Sequence, residues 1–366
     1  MRFAHPLIIG AGPAGCAAAI ALRQLGADCT LIEHHQEVGD PLCGGFLSWR
    51  TAEQLGVLGV DLAKLGAHRV NKLRLFAAGL TAELDLPQQA FGLSRHALDT
   101  EMRRVALAQG AEILFDSIRG FDKNRAKGRR DNYDAPALFL AAGKHDVPRA
   151  GRPRNAKDTT AGLRLRLPSS PERDALLGGV IELHLFKGCY VGIVLQEHGS
   201  ANVCLAVRKP ALTTAGGSPV QLFGQLAEQS PVLAQRLGSD WKGTKIDAIG
   251  SVPYGYICHE TREDLYRLGD QAAVIPSLAG EGNSIAVASG VAAAEAFVHG
   301  VDASAFQRQF AKRAQRPVCL ASVMWHTAEH PIGARIALTL ARLAPGIIAN
   351  FADWARIPPS TPLARP

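Results

Sequence analysis

The sequence predicts an α/β protein in which a parallel-sheet layer is split by an inserted antiparallel β-sheet and followed by a helical C-terminus. Three observations carry this expectation. The apolar triplet Leu7-Ile8-Ile9 runs into a Gly-rich turn and an Ala-rich helix, as a buried parallel strand does where it hands over to a crossover. Val180–Leu185, Tyr190–Leu195 and Ala201–Val207 are apolar runs in hairpin succession, the second turn falling at His198-Gly199-Ser200. A second Ala-rich helix, Asn283–Val298, follows a second Gly-rich loop.

The elements follow in order. Ala14–Leu25 reads as helix to a break at Gly26, and Cys29–Glu33 as the strand that closes a βαβ unit of about thirty residues. Ser48–Leu65 is helical in pattern, and Leu73–Leu86 alternates as an antiparallel strand pair. Arg95–Gln109 is an amphipathic helix with Leu98, Met102 and Val105 on one face, and Ala111–Phe115 a strand. Lys123–Asp131 reads as a basic turn, Ala137–Ala142 as a buried strand, Arg149–Thr160 as a surface connection, and Leu265–Ile275 as a strand and loop. Residues 1–70, 92–165 and 255–304 are thus assigned to the first layer, 71–91 and 166–254 to the inserted sheet, and 305–366 to the helical segment.

At 366 residues, 47% hydrophobic and 20% charged, the chain is globular, which excludes a disordered chain or a coiled coil. The net charge of +7 is local: Phe121–Asp158 holds ten Lys/Arg against five Asp. A patch of that kind is not a nucleic-acid-binding face. Seven scattered Cys without a CxxC pair exclude a disulfide framework or zinc site, no metal ligand set stands out, and a reducing, cytoplasmic setting is expected. Phe3–Leu22 is apolar, but its glycines argue against a signal peptide or membrane span.

The first turn carries chemistry. Gly10-Ala11-Gly12-Pro13-Ala14-Gly15 fits GxGxxG between strand and helix: Gly10 turns the chain, Gly12 lets a pyrophosphate approach, and Gly15 lets the helix pack. The helix start offers free N–H groups to phosphate. Glu33, at the end of the second strand, can accept from a ribose hydroxyl, with His34 and His35 beside it at the adenosine end. The late motif separates FAD from NAD. Asp270, after Gly269 at a strand end, can accept from a ribityl hydroxyl, and the helix start at Gly280-Glu281-Gly282-Asn283 can face a flavin edge as it becomes anionic. FAD is the expected cofactor.

These motifs, with Arg95 in Gly-Leu-Ser-Arg-His-Ala-Leu-Asp, resemble the para-hydroxybenzoate-hydroxylase-type FAD superfamily. Pro41-Leu42-Cys43-Gly44-Gly45 and Gly188-Cys189-Tyr190-Val191-Gly192 are most similar to the geranylgeranyl reductase family. The resemblance spans roughly residues 5–300 and implies Arg95 near the FAD pyrophosphate or ribityl chain, and Cys43, Gly44 and Gly45 near the isoalloxazine. The superfamily's Asp-Gly motif, used for FAD and NAD(P)H, is represented by Ala142-Gly143, with Ala in place of Asp. NAD(P)H is therefore one candidate electron donor and an acidic redox protein the other; Lys123–Arg130 and Arg149–Lys157 can dock such an acidic redox protein, an acyl carrier protein or the NAD(P)H phosphates, and solvated loops are the simpler reading of those stretches. Gly192 stands where the reductases carry Trp, which implies a roomier pocket, and no Trp-x-Trp-x-Ile-Pro halogenase signature is present.

The expected activity is an FAD-dependent oxidoreductase acting on a hydrophobic, isoprenoid- or polyketide-like molecule. In that reading a C=C bond takes a hydride from flavin N5, and Cys43 or Tyr190 provides the proton. Structural packing is the competing role for both residues. A flavin monooxygenase hydroxylating an aromatic or polyketide substrate is the alternative, and a non-catalytic flavin-containing binding or carrier protein a third. The apolar tail Pro331–Trp354 is expected to close the substrate tunnel, in preference to lying on a membrane.

Overall fold

The computed structural model describes residues 1–153 and 160–358. Among these, a parallel sheet runs in the order Leu265–Arg267, Leu138–Leu140, Leu7–Ile9, Thr30–Glu33, Glu112–Phe115. Its central strands are buried and carry no polar side chain but Thr30 and, at the end of its strand, half-buried Glu33, as strands covered on both faces do. Helix Pro13–Gln24 packs against helix Gly282–Val298 so closely that a Cβ on Gly290 would lie 2.4 Å from the Ala14 carbonyl oxygen.

A larger sheet runs Ile246–Val252, Thr160–Leu167, Ala201–Arg208, Cys189–Leu195, Val180–Phe186, His68–Ala77, Leu80–Gly92, Phe46–Leu47. The sheet is mixed, because Val180–Phe186 pairs in parallel with His68–Ala77. Its strands begin earlier than the sequence suggests, at His68 and at Thr160, before the boundaries read at 71 and 166. Alternation gives it two faces. One buries Leu165, Val203 and Leu205 against Phe223 and Trp241, under short helices Pro171–Leu177, Lys209–Thr214, Pro219–Gln229 and Pro231–Leu237. The other presents Leu183, Tyr190 and Ala206 to Trp325 and Leu338 of the C-terminal helices Ala303–Ala328 and Pro331–Leu343.

Three readings change. The stretch read as a basic turn is the hairpin sheet Ile118–Asp122, Arg125–Gly128, Asn132–Asp134, its cations paired in part with Asp122 and Asp134. The helix read over Ser48–Leu65 spans Trp49–Val57, since glycines at 56 and 59 end it. In the connection after Arg149, Arg152 is buried at 5% exposure; positions 154–159 of that connection, and of the basic stretch ending at Lys157, lie outside the described residues.

Candidate active site

A cavity of about 270 Å³ runs from the Gly-rich turn, between the two sheets, to the C-terminal helices. At its nucleotide end Gly10 turns with φ +105°, a conformation side chains resist, and a Cβ on Gly15 would lie 1.9 Å from the Gly10 oxygen. Gly12, Pro13 and Ala14 face the cavity, and a Cβ on Gly12 would point towards Arg95 Nη2 at 3.6 Å. A side chain there would stand between a guanidinium and a helix N-terminus, where a pyrophosphate fits. Ser94 caps the helix that carries Arg95, accepting from the Ala97 N–H. Asp99 holds Arg95 Nε at 2.7 Å and Nη2 at 2.8 Å. Burial by itself lowers the pKa of this cation, but the Asp99 pairing more than reverses that and raises it above the ordinary arginine value.

Glu33 is fixed by backbone: Oε2 accepts from the Ala11 N–H at 2.7 Å, and Oε1 from those of His34 and His35 at 2.8 and 3.1 Å. A carboxylate has acceptor capacity left for a ribose hydroxyl. His34 is exposed, and its ring lies against that of His35 at this end. Asp270 lies 3.7 Å from Lys144 Nζ, and Lys144 donates to the Leu42 carbonyl at 3.4 Å. Gly143 and Gly269 line the same wall, and Gln271 Nε2 donates to the Gly143 carbonyl at 2.8 Å. These residues fit FAD: an anion cradle, a ribose acceptor and a second acceptor further along one wall.

The Cys43-Gly44-Gly45 loop lies over the middle of the cavity. Fully buried Asn202 donates to the Cys43 and Gly44 carbonyls at 3.1 and 2.8 Å. Gly45 adopts φ +71°, and a Cβ there would meet Gln196 Nε2 at 2.0 Å. Asn283 Nδ2 points at Cys43 Sγ, 3.8 Å away, and Gly280 and Gly282 line the wall beside it. Glu281 heads this helix without capping it; its buried carboxylate pairs with Arg356, whose guanidinium lies 4.0 Å from the centre of the Trp49 ring. Burial raises the Glu281 pKa against the pull of Arg356.

Beyond the loop the walls are apolar: Leu73, Ile181, Leu183, Val194, Ile249, Leu278 and Met324, with Ala352 and Ala355 from the tail. Tyr190 OH donates to Ser277 Oγ at 2.6 Å, and Tyr254 OH shares the same oxygen at 2.5 Å. Both rings pack edge-on against Trp325. Burial pushes the Tyr190 phenol well above its ordinary pKa and Tyr254 to about 12, so both stay protonated. Gly192 opens the wall beside them.

The sequence-selected positions line this cavity except Gly10, Gly15, Glu33, His34 and His35, which belong to its nucleotide end, and Glu281, which is turned to Arg356. Sequence reasoning missed Lys144, Arg152, Asn202, Tyr254 and Arg356. Lys144 directly follows Ala142-Gly143, and Ser277, also missed, lies three residues before Gly280, so both could have been noticed as polar groups there; the others carry no local signal.

A family model described as an FAD binding domain matches residues 4–125. Digeranylgeranylglycerophospholipid reductase 2 of Methanopyrus kandleri is 24% identical over 336 residues, covering 84% of this chain and 80% of that protein. A geranylgeranyl bacteriochlorophyll reductase-like structure from Thermoplasma acidophilum superposes with TM-score 0.73 at 17% identity, over 97% of this chain and 100% of that one. The flavin-dependent brominase Bmp2 gives TM-score 0.77 at 15% identity, over 100% and 96%. Fold and sequence agree on an FAD-binding oxidoreductase scaffold.

Proposed function

We propose that this FAD-dependent oxidoreductase, of the superfamily that includes the geranylgeranyl reductases, reduces a C=C bond in a hydrophobic, isoprenoid- or polyketide-like substrate. Bound FAD would supply the hydride from N5. The observation that carries the reading is the continuity of the cavity: the FAD-fitting wall passes under the Cys43–Gly45 loop into an apolar chamber whose hydroxyls are paired on Ser277. The relative named for a digeranylgeranyl phospholipid supports a long apolar substrate.

The chain's own residues do the remaining work. The apolar walls bind the substrate and exclude water, which would otherwise compete for the reacting centre. Asn202 holds the loop by the Cys43 and Gly44 carbonyls, and Gln196 packs against Gly45. A C=C bond that takes a hydride needs a proton on its other carbon. Tyr190 is the proton donor in this reading, because its buried phenol stays neutral and Ser277 connects it to half-buried Tyr254 for reprotonation. Cys43 has a second role, holding the loop turn through the Gly45 N–H at 3.5 Å.

The test is anaerobic: the flavin is reduced with dithionite, then mixed with a polyprenyl lipid in detergent. Flavin reoxidation with a product heavier by two hydrogens supports the reading. Reoxidation only by oxygen, with an oxygen atom added to an aromatic substrate, replaces it with the monooxygenase. Parallel mixing with NADPH, NADH or a reduced ferredoxin-type protein identifies the donor.

A further inference from the structure

The C-terminal helices Pro331–Leu343 and Pro345–Trp354, bent by 116° at Ala344, have two faces. Inward, Ala334, Leu338 and Ala341 pack on the large sheet, and Ala352 and Ala355 line the cavity. Outward lies a stripe of large apolar side chains. Ile332, Ile336, Leu340 and Leu343 recur at helical spacing with 65%, 54%, 41% and 79% exposure. Ile347, Phe351 and Trp354 continue it on the second helix at 47%, 38% and 50%. Scattered exposed apolar residues are ordinary, but a periodic stripe of this length marks an interaction surface.

Charge selects the occupant. Exposed Arg335 and Arg342 flank the stripe, and the neighbouring helix Ala303–Ala328 exposes Arg308, Lys312 and Arg316, the last stacked 5.4 Å from the Trp354 ring centre. Between Ala303 and Pro358 there are seven Lys/Arg against two Asp/Glu; Arg356 is buried against Glu281 and Glu329 is held by Arg208, which leaves six cations against Asp353. An apolar stripe ending in Trp and bordered by cations has the composition of a helix lying in a bilayer interface, with anionic headgroups paired to its arginines.

We propose that this face docks on the surface of an anionic lipid bilayer. The helix Pro345–Trp354 then separates membrane from cavity by its own thickness, so an apolar substrate enters from the acyl chains without crossing water. The docking face goes beyond the reductase reading and is tested without turnover, so either can fail while the other stands.

The experiment sediments full-length, FAD-loaded protein with vesicles of phosphatidylcholine alone or mixed with phosphatidylglycerol. The proposal expects binding to the mixed vesicles at least tenfold tighter than to phosphatidylcholine, weakening with salt. The double variant Ile336→Glu/Leu343→Glu should lose that binding tenfold or more while keeping its flavin spectrum and Tm. Brominated acyl chains should quench tryptophan emission in the native protein and less so in Trp354→Phe. Absence of binding to both vesicle types overturns the proposal, as does unchanged binding by the double variant. A salt-insensitive self-association that the double variant abolishes would instead place a second copy on this face.

Discussion

Arg152 Nη1 donates to the main-chain carbonyl of Asp270 at 3.0 Å, joining two loops 118 residues apart in sequence. The same guanidinium holds Asp146 at 2.8 Å and the Lys144 carbonyl at 2.7 Å. The loop that carries Ala142 where the superfamily has Asp is thereby pinned to the loop that presents Asp270. Arg152→Met should leave buried carbonyls unsatisfied, at about 1–3 kcal/mol, and weaken FAD binding roughly tenfold to a hundredfold. Titration of apoprotein with FAD, followed by quenching of flavin fluorescence, checks this; an unaltered Kd would mean the two loops hold without it.

If Tyr190 gives the proton, Tyr190→Phe should slow substrate-dependent flavin reoxidation by roughly a hundredfold or more, with FAD binding intact. Tyr254→Phe should slow it less, because Ser277 remains in contact with the donor. Cys43→Ser should change it least. Raised phenol pKa values keep both tyrosines protonated, so the rate should stay level up to the ordinary tyrosine pKa of about 10 and fall only beyond it. A Cys43→Ser variant as slow as Tyr190→Phe would transfer the role to the thiol.

The nucleotide motifs were legible because each is local. Gly10–Gly15 and Gly269–Asp270 carry their turn geometry and anion site within a few consecutive residues, and the strands and helices around them follow from period and flanking glycines. The residues that shape the rest of the cavity act across long separations: Asn202 on Cys43, Arg152 on Asp270, Tyr190 on Ser277, Arg356 on Glu281. Nothing within ten residues of Asn202 or Arg356 announces such a partner. The helices over the outer face of the large sheet were hidden for another reason. Pro210, Pro219 and Pro231 interrupt the apolar pattern, yet each sits in the first turn of a short helix, where its missing N–H costs nothing. The parallel pairing of Val180–Phe186 with His68–Ala77 likewise joins segments that sequence spacing alone does not connect.

Gly192 lines the apolar chamber, and a Cβ built on it meets Leu183, Tyr190 and the Cys204 carbonyl at ordinary contact distances of 3.5–3.8 Å. The backbone therefore tolerates a side chain, and the space beyond belongs to the cavity. Gly192→Trp should keep FAD and stability while reducing turnover of bulky substrates more than that of short ones. A series of polyprenyl lipids of increasing length, compared by kcat/KM, checks this; a uniform loss across the series would mean that the indole disturbs the flavin end instead.

On the outer face of the large sheet, Glu182 is fully buried and accepts from Arg74 at 2.7 Å, Arg236 at 3.0 Å and His184 at 3.1 Å. Burial by itself would raise its pKa, but these hydrogen bonds, led by His184 and Arg236, hold it at about 2. Because the folded value lies below the unfolded one near 4.5, the cluster contributes its full stability above about pH 4.5 and loses it as pH falls towards 2. The Tm of the native protein should therefore drop between those limits. Glu182→Gln should start lower, since it leaves buried cations without their counter-charge, and should have a shallower pH slope over the same window. Thermal melts at half-unit intervals from pH 2 to 6 measure both, and parallel slopes for the two proteins would assign the acid sensitivity to another carboxylate.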